Sequence, residues 1–362
     1  MTEFSLKQER VHSLLEKYDL DALVLQRVSS FAWATCGAAS YVNTASSFGA
    51  ASLVITRSGH HLVTDNIEAP RLLHEEKLNY QGWEFHVGKW YEASPLNALI
   101  SGMKVGADHA YPGALDLSGE LARLRATLTP EEGVRFRVLG RLCAEAMNAT
   151  IKQIQPGMTE HDIASRLAYQ NRSRGVQAMV NLIASDERVF TFRHPLPTFK
   201  PANAYIMLVV CGRRWGLVCS MTRLVHFGPL PDELRRKADA VAQVDAALIN
   251  ATRPGKTINQ VFQRGVQAYA AAGYPDEWQL HHQGGPTGYE PREWVATPNT
   301  NDPVMVNQVY AWNPSITGTK SEDTIQVGEK ENEVITLTPG WPMRDVQVDG
   351  QTLQRPDILV ID

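Results

Sequence analysis

The sequence predicts a two-domain chain, an N-terminal α/β domain over residues 1–128 and a pseudo-symmetric α+β domain with a curved antiparallel sheet over residues 129–362. Three observations carry this. Helical and strand patterns alternate up to about residue 125, as they do in α/β units. A strong helix start stands at Thr129-Pro130. One local pattern, Pro-Gly-x-Thr opening a helix, occurs twice in matching contexts. A length of 362 residues also exceeds what one core usually serves.

The elements follow in order. Leu6, Val11, Leu14, Leu15 and Tyr18 form an apolar helical stripe, and DALVLQ (Asp21 to Gln26) reads as a buried strand. ASLVITRSGHHLVTD reads as two strands around a Ser58-Gly59 turn. The small, polar stretch AWATCGAASYVNTASSFGA between them is expected to form loops near a cleft. At the boundary, Thr129 caps a helix, Pro130 fits its first turn, and Glu131 and Glu132 complement its dipole. Leu139, Leu142, Ala146, Ile151 and Ile154 continue on one face. The repeat pairs IQPGMTEHDIASRLAYQNRSRG with TRPGKTINQVFQRGVQAYAAAG, each followed by strand-like sequence.

Composition excludes several function classes. Hydrophobic residues make up 43% and charged residues 20%, values of an ordinary globular chain. The net charge of −4, without a basic run or stripe, argues against a nucleic-acid partner. No apolar run reaches the ~18 residues of a membrane span, and the N-terminus lacks a signal-peptide pattern, so a cytoplasmic location is expected. Cys36, Cys143, Cys211 and Cys219 are scattered without metal-knuckle or disulfide spacing.

Several motifs then stand in a suggestive order: RVHSLLEKYDLDALVLQ, PGMTEHDIA, FRHPLP, the hairpin LVVCGRRWGLVCSMTR, LHHQGGPTGYEPRE, VYAWNPSITG and SEDTIQV. Together they resemble the pita-bread family of creatinase, prolidase, aminopeptidase P and methionine aminopeptidase over nearly the whole chain. The metallopeptidases of that family hold two metal ions with two Asp, one His and two Glu, hard oxygen donors plus an imidazole suited to activating water. Carried over position by position, the two Asp fall at Val209 and Ser220, and the His at His282 or His281. The two Glu fall at Asn313 and Glu322. Valine offers no donor, a hydroxyl binds such metals poorly and an amide carries no charge, so the expectation is a site without metal or other cofactor. Cys211 shares a strand face with Val209 and would be the donor of any rebuilt Cys/His site, but a buried cysteine is more often a small hydrophobe.

What remains suits acid–base chemistry. Creatinase, in the same fold, cleaves a C–N bond without metal. By this resemblance His194 of FRHPLP, or His282, shuttles a proton, since an imidazole titrates near ~6.5. Glu322 and Glu293 support it, Glu322 by raising the pKa of a nearby His. Glu322 and Asp323 alternate along a strand, so only one of them faces the pocket. Arg292 is a candidate clamp for a substrate carboxylate, Asn313 a hydrogen-bonding group, Ser220 a further substrate contact, Tyr289 and Trp312 pocket walls, and Arg344 a second anion contact. The leading expectation is a metal-independent hydrolase of an amide, amidine or N-substituted amino acid acting on a small-molecule substrate. Its alternatives are a lyase on the same scaffold, a non-catalytic binding protein, and a metal-dependent Xaa-Pro peptidase if the ligand register has slipped. The resemblance also implies a homodimer.

Overall fold

The structure, a computed structural model, describes residues 2–362. Residues up to Ala126, with Trp215–Leu217, form one compact unit, and Thr127–Arg214 with Val218–Asp362 form another.

In the first unit α1 (Glu3–Lys17) starts at a capping box between Thr2 and Ser5 and buries Val11, Leu14 and Leu15. Lys7 is buried beside them. Its Nζ pairs with Glu3 (2.7 Å) and donates to the carbonyl of Trp33 (2.8 Å), so the charge does not go inside unpaired. The sheet comprises β1 (Ala22–Arg27), β2 (Phe48–Thr56), β3 (His60–Asp65), β4 (Glu84–Gly88), β5 (Val105–Ala107) and β6 (Leu115–Asp116). Their order is β4-β3-β2-β1-β5-β6. The β1/β2 and β2/β3 pairs are antiparallel, and β3/β4, β1/β5 and β5/β6 are parallel. The stretch expected as loop opens instead inside α2 (Val28–Ala34), all seven residues of which are buried. Even its serines, Ser29 and Ser30, are buried, so it lacks the exposed polar face by which a surface helix is recognised. Three short helices, α3 (Ala69–His74), α4 (Leu96–Leu99) and α5 (Ser118–Ala126), complete the unit.

The second unit begins at α6 (Pro130–Ile151), where Thr129 accepts from the Glu132 amide and the Glu132 carboxylate accepts from the Thr129 amide. The sequence repeat is a structural repeat. Thr159 caps α7 (Glu160–Arg172) with Asp162 as its partner, and Thr257 caps α10 (Ile258–Ala271) with Gln260. Before each cap stands a glycine in the left-handed region, Gly157 at φ 90° and Gly255 at φ 86°, which a side chain would strain. Each capping threonine also bridges to a proline, Thr159 to Pro201 and Thr257 to Pro303. Two further helices are α8 (Glu187–Thr191) and α9 (Asp232–Ala251).

The strands of this unit are β7 (Gln177–Ser185), β8 (Tyr205–Arg214), β9 (Leu217–Phe227), β10 (Gly284–Thr287), β11 (Val309–Trp312), β12 (Ser315–Ile316), β13 (Thr319–Lys320), β14 (Asp323–Val327), β15 (Asn332–Val334), β16 (Met343–Val348), β17 (Gln351–Pro356) and β18 (Leu359–Ile361). They make two four-stranded sheets, β18-β9-β8-β7 and β10-β11-β14-β15, with two-stranded ribbons β12-β13 and β16-β17. Val244, Leu248, Val261 and Phe262 of α9 and α10 pack with Tyr310, Trp312 and Ile325 in one apolar cluster. Trp312 is therefore core, stacked on Tyr310 and donating Nε1–H to Thr252 (2.9 Å), rather than a pocket wall. No helix among the described residues is long and apolar enough to cross a membrane.

Behind the second sheet lies a buried ionic network. Asp323 accepts from Arg223 (2.9 Å), Arg355 (2.7 Å) and the Thr336 hydroxyl (2.6 Å), and Arg355 pairs also with Asp245 (2.7 Å). All four charged residues are essentially inaccessible to solvent. Breaking such a pair leaves an uncompensated charge, so Asp323→Ala should cost ~3–5 kcal/mol of unfolding free energy by urea denaturation. A loss below ~1 kcal/mol, the scale of a surface pair, would show that the network is not what holds β14.

Candidate active site

The side chains that could carry chemistry come from six segments of the second unit and meet around Glu322. Strand alternation decides which carboxylate enters. Asp323 points into the buried network just described, and Glu322, one residue earlier, points the other way. Both of its oxygens are taken by cations. Arg292 Nη2 lies 3.0 Å from Oε1 and Lys320 Nζ 2.8 Å from Oε2, while the Thr222 hydroxyl donates to Oε2 (2.6 Å). Glu322 is 2% exposed and Lys320 7%. Arg292 reaches across to the hairpin as well, donating through Nη1 to Ser220 Oγ (3.1 Å). Ser220 Oγ in turn donates to Cys211 Sγ (3.2 Å), and the Ser220 backbone is held by Thr324 Oγ1, which accepts its amide and donates to its carbonyl (2.8 Å each).

Three histidines converge nearby. His281 Nε2 meets His194 Nε2 at 3.1 Å and His281 Nδ1 meets Ser315 Oγ at 3.1 Å; the His282 ring stands 4.7 Å from that of His281 and 5.5 Å from that of His194. One ligand nitrogen from each can be chosen so that all lie within 4.8 Å of one another. Three buried polar atoms of this neighbourhood, His282 Nδ1, Asn313 Oδ1 and Arg292 Nε, have no hydrogen-bond partner. Buried polar groups are nearly always satisfied, and groups left open at a candidate site are available to a ligand.

Of the residues singled out from sequence, the structure thus brings together His194, His282, Glu322, Arg292 and Ser220. Asn313 follows β11 directly, and its backbone amide donates to the Gln283 carbonyl (3.0 Å). Glu293 accepts from the Tyr289 amide (2.8 Å), and the buried Tyr289 hydroxyl donates to Glu132 at the start of α6, so these two hold the loop that carries Arg292. Arg344 is not brought to the cluster. Its guanidinium pairs with Asp239 and Asp357, and the cation that the cluster does hold beside Arg292 is one the sequence reading missed, Lys320. Of the two adjacent histidines, His281 is the more deeply buried and the one bonded to His194.

Burial and the two cations set the protonation states. Burial alone would raise the Glu322 carboxyl, but Lys320 and Arg292 override it and hold it at about 2. Burial, then Lys320, pushes His281 down to about 2; burial, then Arg292, pushes His282 to about 4; and burial, then Lys320, also lowers His194. Glu322 does draw these imidazoles upward as expected, but desolvation and the neighbouring cations outweigh it and the net shift is downward. His281 and His282 are therefore neutral at pH 7.

The two-metal centre of the resembling peptidases does not fit this donor set. Val209 has no donor, Ser220 Oγ is engaged by Arg292 and Cys211, and both Glu322 oxygens carry ion pairs. Cys211, the donor of a rebuilt site, has its thiol pushed up to about 11, first by burial, which disfavours the thiolate a metal needs.

The lowered imidazoles make a prediction. A histidine at about 4 in the folded chain and near ~6.5 unfolded binds more protons when unfolded over that interval, so stability falls as pH drops from ~6.5 towards 4. Thermal melts at several pH values should show this fall, and His282→Gln should make it shallower. Identical slopes in the variant would show that His282 is not the group being charged.

Residues 135–347 match the family described as Metallopeptidase family M24. An uncharacterized peptidase of Staphylococcus saprophyticus is 26% identical over 234 residues, 61% of this chain and 65% of that protein. A Xaa-Pro dipeptidase of Lactobacillus delbrueckii subsp. lactis is 25% identical over 194 residues, 52% of each chain. The chain thus spans only part of the length of these two relatives. Among solved structures, a Xaa-Pro dipeptidase from Bacillus anthracis superposes with a TM-score of 0.79 at 17% identity, covering 99% of this chain and 100% of that one. With the family pattern spanning more than half of the sequence, the chain belongs to metallopeptidase family M24 and carries its pita-bread fold.

Proposed function

We propose that this chain hydrolyses a C–N bond in a small, carboxylate-bearing substrate, an amide, amidine or N-substituted amino acid, without a two-metal centre. The observation that carries the reading is Glu322 held between Arg292 and Lys320, where the resemblance places a metal-ligating carboxylate. Two cations against one carboxylate leave this buried pocket net positive, with neutral imidazoles around it. An anionic substrate group answers that excess charge, and Arg292, whose Nε–H has no partner, can donate to a carboxylate. His194 or His282 takes a proton from the attacking water and returns it to the nitrogen as the C–N bond breaks. His281, bridging Ser315 and His194, positions the latter.

The same electrostatics give the substrate's charge a part in the chemistry. A free-enzyme imidazole at about 4 is a weak base. A bound carboxylate offsets Arg292 and Lys320, which depress it, and so raises the imidazole pKa back towards its ordinary value. Profiles of kcat/KM report groups of the free enzyme and those of kcat report groups of the complex. The acid limb of kcat should therefore lie at higher pH than that of kcat/KM, and coincident limbs would count against substrate-assisted tuning. Arg292→Ala should lower kcat/KM on a carboxylate substrate by on the order of 100-fold, with a much smaller loss on its uncharged amide analogue and partial recovery in Arg292→Lys.

A second reading has its own support. The convergence of His194, His281 and His282 would suit a single ion, and two of the compared proteins are named Xaa-Pro dipeptidases. The deciding experiment is metal analysis by mass spectrometry of purified protein, before and after incubation with manganese, cobalt and zinc. It is paired with assays of small amides, amidines and Xaa-Pro dipeptides with and without chelator. Turnover of an amide or amidine that survives chelation supports the first reading. Xaa-Pro cleavage abolished by chelator, in a protein whose metal is lost with His281→Gln, replaces it with the second.

A further inference from the structure

Outside the pocket, the first unit holds a second convergence of ligating side chains, on adjacent parallel strands at a sheet edge. In the β3/β4 register His61 stands opposite Glu84, and His86 stands two residues on. The period of two along a strand puts Glu84 and His86 on one face. Their donor atoms meet there. His61 Nδ1 is 3.1 Å from Glu84 Oε2 and 3.1 Å from His86 Nε2, and His86 Nε2 is 3.6 Å from Glu84 Oε1.

We propose that His61, Glu84 and His86 form a binding site for a divalent transition-metal ion of the zinc, nickel or copper class. The distances suit such an ion. Ligands ~2.0 Å from a tetrahedral ion stand about 3.3 Å from one another, and the three separations bracket that value. The donor chemistry suits it too. Two imidazoles and one carboxylate are a set that zinc, nickel and copper accept, and one that calcium and magnesium, which take oxygen ligands, do not favour. The cluster is also accessible. His61 and His86 side chains are 17% and 25% exposed and Glu84 66%, so an ion can enter and water can complete its coordination. The site has a structural consequence as well. Among the described residues β4 is the edge strand and pairs with β3 alone, so an ion held by residues of both strands ties the edge to the sheet.

The site is independent of the pocket reading, but it bears on its test, because metal found in the purified protein could reside here. Isothermal titration of the full-length, chelator-stripped chain with zinc or nickel chloride separates the two places. His61→Gln/His86→Gln should remove one binding equivalent or weaken it by at least the ~10-fold that loss of even an outer-shell partner costs. His194→Gln/His281→Gln should leave that equivalent in place. The bound ion should also raise the melting temperature of wild type, and this rise should vanish in the first variant. Copper(II) electron paramagnetic resonance on the unmutated chain should show two imidazole nitrogens at this site. Isotherms unchanged by His61→Gln/His86→Gln, or a copper spectrum without imidazole nitrogen, would overturn the proposal.

Discussion

The candidate site depends on a single alternation of side chains from Lys320 to Thr324. Lys320, Glu322 and Thr324 face the hairpin β8–β9 and the loop of Arg292, while Ser321 meets Asp245 and Asp323 meets the buried arginines behind. Neither half is optional. Asp323 lies between Arg223 and Arg355 with no solvent to replace them, so this strand cannot rotate without stranding two guanidinium groups. That anchoring fixes the direction of Glu322, and Glu322 in turn fixes Arg292 and Lys320. A one-residue slip would exchange the two carboxylates and dismantle both the network and the pocket.

Val209, Ser220 and Asn313 stand where the resemblance places carboxylate ligands, and the charges around Glu322 can be weighed beside them. A pocket that had kept its carboxylates without cations would hold like charges in a buried space and would take up protons to relieve them. Here the retained carboxylate is neutralised by side chains of the chain itself, and one positive charge is left over. The ion pairs with Arg292 and Lys320 are thus the means by which this pocket holds a buried carboxylate.

Much of this was legible in the sequence where the determining interaction is local. The three threonine caps, the two Pro-Gly-x-Thr starts and the opposite facing of Glu322 and Asp323 are set within a few residues of chain. Lys320 was missed although it stands two residues from Glu322. Nothing in the order Thr-Lys-Ser-Glu says that the lysine turns inward, which follows from β12–β13 folding back beside the pocket. Arg344 failed for the opposite reason, since an arginine near a candidate motif looks available until Asp239, more than a hundred residues earlier, is seen to claim it. The sign of the imidazole shifts was also out of reach, because burial, the largest cause, is a property of the assembled fold.

The three imidazoles of the pocket and the two of the sheet edge stand in different electrostatic surroundings. His281 and His282 are neutral because they are desolvated beside cations, an environment that repels a further positive ion as it repels a proton. His61 and His86 stand in a more exposed place, with a carboxylate between them and its charge not spent on lysine or arginine in the ion pairs formed there. A divalent ion would gain from Glu84 what it would have to contest with Arg292 and Lys320 at Glu322. The two clusters of histidine thus differ in which charges the fold places around each carboxylate.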